Sequence, residues 1–529
     1  MAEPIEAQDP TPATSSRPSL RKLGAAFLIV WAAATVVVGR GFTVIAPNPY
    51  DPQLFAYIGY EWTKGVVPYV DLWDNKPPGI FALTAGTTWL LGTSVVAMAV
   101  VAALFTAATL VVLYCLLRRW AFPRPIALAA IVGCSVAVSL NFYNVGGNLT
   151  ELYLLLPSVL SVYCFVRVSE LRRNCWLMAA GACAGVAGLI KTVGFAPLLA
   201  EICFLLLLAF WRRRISIASA TRAIVTLAGG AGLAWSPAFL YFAKYHAVWA
   251  MLDASFFYNL SYGLHGHHGF LSPLTPVFLV VVLRPLAMLC AFAVAGVAVY
   301  PWSLCRGAGD NLASDHGLQW LLATLWFAAD VAGALAGGRG YEHYFLALVP
   351  SLSVLAGFGL LAIVTSQREG PKTPAYPILI VFFVALLISQ VQDAAHWANQ
   401  GRRDLQDEAQ DARSLVPALR DAEKGAVLFS WPYEPSLLLA SRLQGKGPFP
   451  FATYHVYDSP RAYHEIGQKI LVNLHNAPPA YVVDCRSCPV PDFDTSDSLH
   501  RQFRLFVAEN YDIRQTAGNL ILYRRKYRD

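Results

Sequence analysis

Many uninterrupted apolar segments of about 20 residues constrain the fold of this chain more than any other feature of its sequence. A bilayer core about 30 Å thick needs about 20 apolar residues per helix, so the pattern predicts helices that cross a membrane. Charged residues make up 14% of the chain, against roughly 25% in soluble domains. We therefore exclude a soluble cytoplasmic enzyme, a disordered protein and a nucleic-acid-binding protein.

The apolar segments predict an all-α polytopic membrane protein with about 11 transmembrane helices, followed by a C-terminal extracytoplasmic α/β domain. The predicted spans are 23–41, 95–117, 125–140, 152–166, 175–190, 192–211, 223–243, 271–299, 318–336, 345–365 and 375–391. The segment 81–91 is apolar but short, and we interpret it as a helix half-buried at the outer face.

Basic residues predict the orientation of these spans. The predicted inner loops hold most of the Lys and Arg residues of the membrane part, as the positive-inside rule requires for cytoplasmic loops. We therefore predict a multi-pass protein of the cell inner membrane with a cytoplasmic N-terminus and an extracytoplasmic, periplasmic C-terminal domain. The predicted parts are a disordered cytoplasmic tail at 1–20, a transmembrane domain at 21–391 and an outer domain at 399–529.

The first outer loop, 42–78, concentrates charged residues at the membrane surface, where charge is costly and tends to be functional. It contains Asp51, Asp71, Asp74 and Lys76. Asp51 precedes a proline, so it could equally be the N-cap of a helix. The alternative for the other three is a solvated loop in which Lys76 simply pairs with Asp74.

Further charged residues follow in the other predicted outer loops. They are Glu151 at the start of a span, Lys191 between two spans, and Arg339 and His343 in one later loop. The cluster of His265, His267 and His268 lacks dependable zinc spacing, and the single Cys485–Cys488 pair favours a local disulfide, so we predict no metal ligands.

These residues make the chain resemble the C-type (GT-C) membrane glycosyltransferases that use polyprenyl-phosphate sugars. The similarity is to the aminoarabinose transferases, protein O-mannosyltransferases and rhizobial galacturonosyltransferases. It rests on Asp51 after the first span and on the ProTyr…Asp…AspAsnLysProPro segment at 68–78. The Gly…Lys…Gly segment around Lys191 and the ArgGlyTyrGluHisTyrPhe segment before Pro350 support it.

The resemblance implies a site and a reaction. It implies that Asp51 is the catalytic base, that Glu151 is a second catalytic acid and that Lys76 holds the lipid phosphate. General chemistry agrees, because a carboxylate can take the acceptor proton and cations can stabilise the departing phosphate. Lys191, Arg339, His343, Asp71 and Asp74 complete the predicted set that binds the donor phosphate or sugar.

The predicted enzyme transfers a hexosyl or pentosyl group, with inversion, to a lipid, glycan or protein hydroxyl at the outer face, in synthesis of a cell-envelope glycan. Its partners are the bilayer, the polyprenyl-phosphate sugar and the acceptor; no nucleic acid or nucleotide is expected. The sequence establishes no cofactor and leaves a divalent cation open. The alternatives are a transporter or flippase for a lipid-linked sugar, an O-antigen-ligase-like or polymerase-like enzyme, and a non-catalytic family member.

Overall fold

The structure, a computed structural model, describes residues 20–169, 173–260, 283–306, 315–337, 341–366, 376–423, 425–431, 434–445, 447, 449–451, 460–485 and 499–526. The α-helices that precede the outer domain are Leu20–Ile45, Asp51–Thr63, Pro78–Leu91, Val95–Arg119, Arg124–Ser139, Asn141–Asn144, Thr150–Val166, Arg173–Ile190, Ala196–Phe210, Ile217–Lys244, Val248–Leu252, Ala287–Arg306, Asp315–Ala336, Val349–Ser366 and Tyr376–His396. Short 3₁₀ or π turns join or extend several of them, at Arg167–Ser169, Thr192–Phe195, Asp253–Phe257, Arg284–Leu286, Glu342–Leu348 and Trp397–Gly401.

Apolar helices coincide with every predicted span within the described residues, which confirms the predicted fold class. Seven helices of the described ranges are long and apolar enough to cross a membrane, and five shorter apolar helices accompany them. The number of spans therefore stays a prediction. Residues 271–282 of one predicted span lie outside the described residues.

The first outer loop is largely folded. The segment Asp51–Thr63 forms a helix, hereafter the Asp51 helix, which packs on the helix Pro78–Leu91. Gly59 permits this close approach, because a Cβ atom there would lie 2.3 Å from Thr84 Oγ1. The Thr84 hydroxyl donates a hydrogen bond of 2.7 Å to the Phe55 carbonyl, so the two helices are also joined by a polar contact.

Within the described residues, the outer domain contains four α-helices and four strands. The helices are Arg402–Leu419, Pro435–Ser441, Pro460–Asn476 and Leu499–Asn510. The strands are β1 Leu428–Ser430, β2 Tyr481–Cys485, β3 Tyr511–Ala517 and β4 Leu520–Arg525. They form one sheet in the order β1-β2-β4-β3, with β1 parallel to β2 and the other pairs antiparallel.

Alternating side chains of the sheet enter two cores. Leu428 and Val483 join the core that continues into the membrane part, whereas Phe429 and Val482 pack with the helices Pro460–Asn476 and Leu499–Asn510. Successive residues of a strand point to opposite faces, so this small sheet is covered on both sides. Cys485, on β2, is disulfide-bonded. Cys488 lies outside the described residues.

The outer domain contacts the Asp51 helix directly. The backbone N–H of Gly445 donates a hydrogen bond of 2.7 Å to Tyr57 Oη. Burial raises the pKa of the Tyr57 phenol above its ordinary value, which keeps this hydroxyl neutral. Trp73 of the first loop also packs against Phe449, with ring centroids 5.6 Å apart. The outer domain therefore borders the loop that carries the predicted site.

Candidate active site

Asp51 is the first residue of its helix rather than its N-cap. Tyr50 occupies the N-cap position without a capping side-chain hydrogen bond, and Pro52 follows in the first turn. The alternative interpretation of Asp51 as the N-cap therefore does not hold. The start of the Asp51 helix is held instead by Asn48, whose Oδ1 accepts a hydrogen bond of 2.8 Å from Tyr50 N. The Asp51 carboxylate remains near the positive end of the helix dipole, where negative charge is stabilised.

Lys76 lies between two carboxylates. Its Nζ is 3.3 Å from Asp51 Oδ2 and 3.8 Å from Asp74 Oδ1, so it does not pair with Asp74 alone. Asp74 Oδ1 also accepts a hydrogen bond of 2.9 Å from the Lys76 backbone N–H. Tyr69, whose hydroxyl donates a 2.7 Å hydrogen bond to the Lys76 carbonyl, fixes the same backbone. The loop thus holds the Lys76 ammonium beside Asp51.

Glu151 and Lys191 form a second ion pair. Glu151 lies in the first turn of the helix Thr150–Val166, and the Thr150 hydroxyl donates a hydrogen bond of 2.8 Å to its Oε2. Lys191 connects two helices, and its Nζ lies 3.9 Å from the centroid of the Tyr344 ring. The Glu151 side chain is 2% exposed against 24% for Asp51, so the carboxylate of this pair is much more buried, whereas Lys191 at 17% is slightly more exposed than Lys76 at 11%.

One cavity of about 540 Å³ brings both ion pairs together. Asp51, Lys76, Glu151, Lys191 and His343 all line it. His343 lies close enough to interact electrostatically with all four charged groups. Its ring stacks on Tyr341, with centroids 5.6 Å apart and an angle of 12° between the planes. Segments far apart in the sequence therefore build one site of mixed charge.

Two other predicted site residues, both in the described part of the chain, do not line this cavity. Asp74 is one of them, although it contacts Lys76. Asp71 is exposed, and its Oδ2 accepts a hydrogen bond of 2.8 Å from the Val67 N–H. Arg339 lies outside the described residues, as do His265, His267 and His268.

Sequence reasoning missed several residues of the cavity wall. Asn75 and Asn259 form a reciprocal contact, in which Asn75 Nδ2 donates 2.8 Å to Asn259 Oδ1 and Asn259 Nδ2 donates 2.7 Å to the Asn75 carbonyl. Asn48 and Tyr344 line the cavity as well. Asn48 had a local signal, since Asn before Pro is typical of turns. Asn259 had none, because its partner is 184 positions away.

Two buried carboxylates within apolar helices lie apart from the cavity lining. Glu201 Oε1 accepts a hydrogen bond of 2.8 Å from Ser161 Oγ, and Asp330 Oδ2 accepts one of 2.6 Å from Ser351 Oγ. Both contacts join neighbouring helices, so these acids take part in helix packing. Among the described residues, no group of three or more His, Cys, Asp or Glu side chains could hold a metal ion.

Known proteins share this fold. Residues 75–235 match the family model described as dolichyl-phosphate-mannose-protein mannosyltransferase. ArnT from Cupriavidus metallidurans in the apo state is 16% identical, with a TM-score of 0.56 over 95% of this chain and 98% of that one. ArnT bound to undecaprenyl phosphate is 14% identical, with a TM-score of 0.54 over 94% and 98%. No curated sequence matches the chain.

A third match is the oligosaccharyltransferase AglB from Archaeoglobus fulgidus, in complex with an inhibitory peptide and a dolichol-phosphate. It is 14% identical, with a TM-score of 0.51 over 88% of this chain and 70% of that one. The structural matches show the predicted fold, that of the C-type membrane glycosyltransferases, and the partial family match agrees with it. The family match includes Lys76, Glu151 and Lys191. Nothing in these matches supports a transporter or flippase.

Proposed function

We propose that this protein is a glycosyltransferase that transfers a sugar from a polyprenyl-phosphate donor to an acceptor hydroxyl. The reaction takes place at the outer surface of the cell inner membrane. The observation that carries the proposal is the meeting of Asp51, Lys76, Glu151, Lys191 and His343 in one cavity. ArnT and AglB, which share the fold, are described with undecaprenyl phosphate and dolichol-phosphate respectively. A lipid-linked sugar phosphate is an anionic amphiphile, and the two lysines supply the matching positive charge.

In the proposed reaction Asp51 is the general base. Its carboxylate takes the proton of the acceptor hydroxyl as the acceptor oxygen forms a bond to the anomeric carbon. The bond from that carbon to the phosphate oxygen breaks, and its electron pair leaves with the polyprenyl phosphate. Direct displacement of this kind inverts the anomeric centre. Asp51 suits the role because its side chain is 24% exposed within the site, so an acceptor can reach it.

The leaving phosphate needs positive charge as it departs. In the proposal Lys76 binds it, since Lys76 Nζ is 3.3 Å from Asp51 and so adjoins the reacting hydroxyl. Lys191 and His343 complete the donor site, and Asp74 orients Lys76 through their contact. For Arg339 the same role is proposed from the sequence alone. Glu151 assists by holding Lys191. The participation of a divalent cation stays open, as it does from the sequence.

The basic inner loops support an orientation in which the N-terminus is cytoplasmic and the outer domain is periplasmic. This orientation places the cavity on the side away from cytoplasmic nucleotide sugars. Cysteine labelling of an engineered site in the outer domain, with intact cells and a membrane-impermeant reagent, tests the orientation. Labelling only after the membrane is permeabilised to the cytoplasm contradicts it.

The test of the function measures sugar transfer from native lipid extract by purified wild-type protein and Asp51→Asn. The wild type should release polyprenyl phosphate and the variant should not. Asp71→Asn is the matched control, because Asp71 is an acid of the same loop that does not line the cavity. Unchanged transfer by Asp51→Asn defeats the base assignment. Mass spectrometry of the lipid that copurifies with the protein identifies the sugar, and absence of transfer by the wild type favours the non-catalytic alternative.

A further inference from the structure

Asn48 joins the two chain segments that carry the carboxylates of the cavity. Its side chain is almost fully buried, and its Nδ2 donates a hydrogen bond of 2.8 Å to the Val145 carbonyl. Its Oδ1 accepts from Tyr50 N at the start of the Asp51 helix, as described above. Its backbone N–H donates to the Gly146 carbonyl at 3.3 Å. One residue therefore links the entry to the Asp51 helix with the loop that leads to Glu151.

Glycine makes the close approach of this loop to Asn48 attainable. Gly146 has a φ of +79°, and a Cβ atom there would lie 2.5 Å from Asn48 N. Gly147 follows with a φ of +83°, and its Cβ would lie 2.2 Å from Thr43 Cγ2. Both positions lie in the left-handed region that favours glycine, and both lack room for a side chain. The close contact between the two segments therefore depends on glycine at both positions.

The loop is anchored at its other end by Asp393. The carboxylate of Asp393 accepts hydrogen bonds of 2.8 Å and 2.9 Å from the backbone N–H groups of Asn141 and Phe142. The Asn141 side chain adds a third, with 3.1 Å between Nδ2 and Asp393 Oδ2. Residues 141–147 are therefore held at one end by the helix Tyr376–His396 and at the other end by Asn48. Asn48 thus contacts a segment that is also anchored elsewhere.

We propose that Asn48 is a positioning residue that sets the separation of Asp51 and Glu151 across the cavity. The inference rests on the proposed function and deepens it. Asn48 precedes Asp51 by three positions, and the Gly146–Gly147 turn precedes Glu151 by a similar number. A displacement at the turn therefore passes to both carboxylates through short, hydrogen-bonded segments. Catalysis is sensitive to such displacements, since about 1 Å can lower a rate about 100-fold.

The contacts of Asn48 with Tyr50, Val145 and Gly146 are hereafter called the clamp, and three substitutions test it. Asn48→Ala removes both side-chain hydrogen bonds. Asn48→Ser keeps an oxygen that can accept from Tyr50 N, but it is too short to reach Val145, so it separates the local turn from the contact between segments. Gly146→Ala breaks the same contact from the other side. The matched control is Asn510→Ala, which removes an Asn Nδ2 hydrogen bond of equal length, 2.8 Å to the Phe506 carbonyl, in the outer domain.

We expect all three clamp variants to lose about 10- to 100-fold in kcat, with the donor KM within about two-fold of wild type. Asn510→Ala should keep kcat within about two-fold. A kcat near that of wild type in Asn48→Ala, or full recovery in Asn48→Ser, overturns the proposal. Asn48→Ser also keeps the test decisive if Asn48→Ala does not fold.

Hydrogen exchange provides a readout that does not depend on the chemistry. Peptides covering 141–151 and 48–56 should exchange faster in Asn48→Ala than in wild type, and they should be unchanged in Asn510→Ala. Faster exchange without a loss of kcat contradicts the positioning role. If Asp51→Asn is as active as wild type, the proposed base fails, while kcat and exchange in the clamp variants still decide the inference separately.

Discussion

The two ion pairs of the cavity are built differently. Asp51 and Lys76 come from one loop and its helix, and their side chains are 24% and 11% exposed. Glu151 and Lys191 come from two separate helix ends, and the Glu151 side chain is 2% exposed, with Thr150 donating to it. Lys76 has a second carboxylate partner, Asp74, whereas Lys191 lies over the ring of Tyr344.

Each pair consists of one carboxylate and one lysine, but the different surroundings of the two pairs suit them to different roles. A carboxylate that exchanges a proton with an acceptor must be reachable by that acceptor, and Asp51 meets this condition better than Glu151. A buried carboxylate whose oxygens are already bonded is better suited to holding a neighbouring cation in place. The following predictions test whether the first pair performs the chemistry and the second pair shapes the site.

The first prediction compares the two acids of the cavity, and the largest effect is expected at Asp51. Asp51→Asn should lower the rate of transfer by about 10²- to 10⁴-fold, because it removes the proposed base. Glu151→Gln should lower it by only about 10-fold, since it weakens the hold on Lys191 without removing the base. Single-turnover assays with the lipid donor measure both. Equal losses in the two variants contradict the proposed division of roles.

The second prediction concerns stability. Lys191→Met should destabilise the protein by about 3–5 kcal/mol, because it leaves the Glu151 charge buried without its partner. Thermal unfolding in detergent measures this loss. The double variant Lys191→Met/Glu151→Gln should recover most of it, and Lys76→Met should lose less, since Asp51 is more exposed. If Lys76→Met destabilises the protein as much as Lys191→Met does, the proposed difference in stability between the two pairs is wrong.

The third prediction concerns donor binding by the first pair. Lys76→Gln should weaken donor binding by about 10- to 100-fold, because a hydrogen bond to a charged group contributes about 1.5–3 kcal/mol. Titration with polyprenyl phosphate measures the affinity. Lys64→Gln is the control, since Lys64 pairs with Glu61 on the Asp51 helix and does not line the cavity. A similar weakening in the control means that general surface charge, rather than the site, attracts the donor.

The smallest expected effect is at Asp71. Asp71→Asn should change the rate less than two-fold and the free energy of unfolding by at most about 0.5 kcal/mol, as is usual for exposed positions. Asparagine keeps an oxygen that can accept from the Val67 N–H. Steady-state kinetics and unfolding measurements check both values. A loss comparable to that of Asp51→Asn extends the active site to a residue that the structure places outside it.

Much of the membrane part could be predicted from local patterns. Within the described residues, each predicted span coincides with an apolar helix, because a helix satisfies its own backbone hydrogen bonds and needs only a run of suitable residues. The strands β1 and β2 are likewise short apolar runs, a pattern that is typical of buried strands. The first outer loop stood out because charge beside a bilayer is costly.

Other features depended on partners far along the chain. The pairing of Lys191 with Glu151 joins positions 40 apart, and the contact of Asn48 with Val145 joins positions 97 apart. The alternative interpretation of Asp51 as an N-cap depended on an exact helix start, which sequence signals locate only to within a residue or two. In the structure Tyr50 occupies the N-cap position, and its backbone N–H donates to Asn48 Oδ1.

The amino-acid sequence alone is sufficient to predict the class of fold, the apolar helices and the charged residues from which a site could be built. These follow from the solvent preference of short segments, which each segment carries without its neighbours. Three features became visible only in the folded chain: which of those charges meet, which carboxylate stays accessible, and the link that Asn48 makes between the segments bearing both acids. Such contacts arise from the packing of distant helices and loops, and no local pattern specifies that packing.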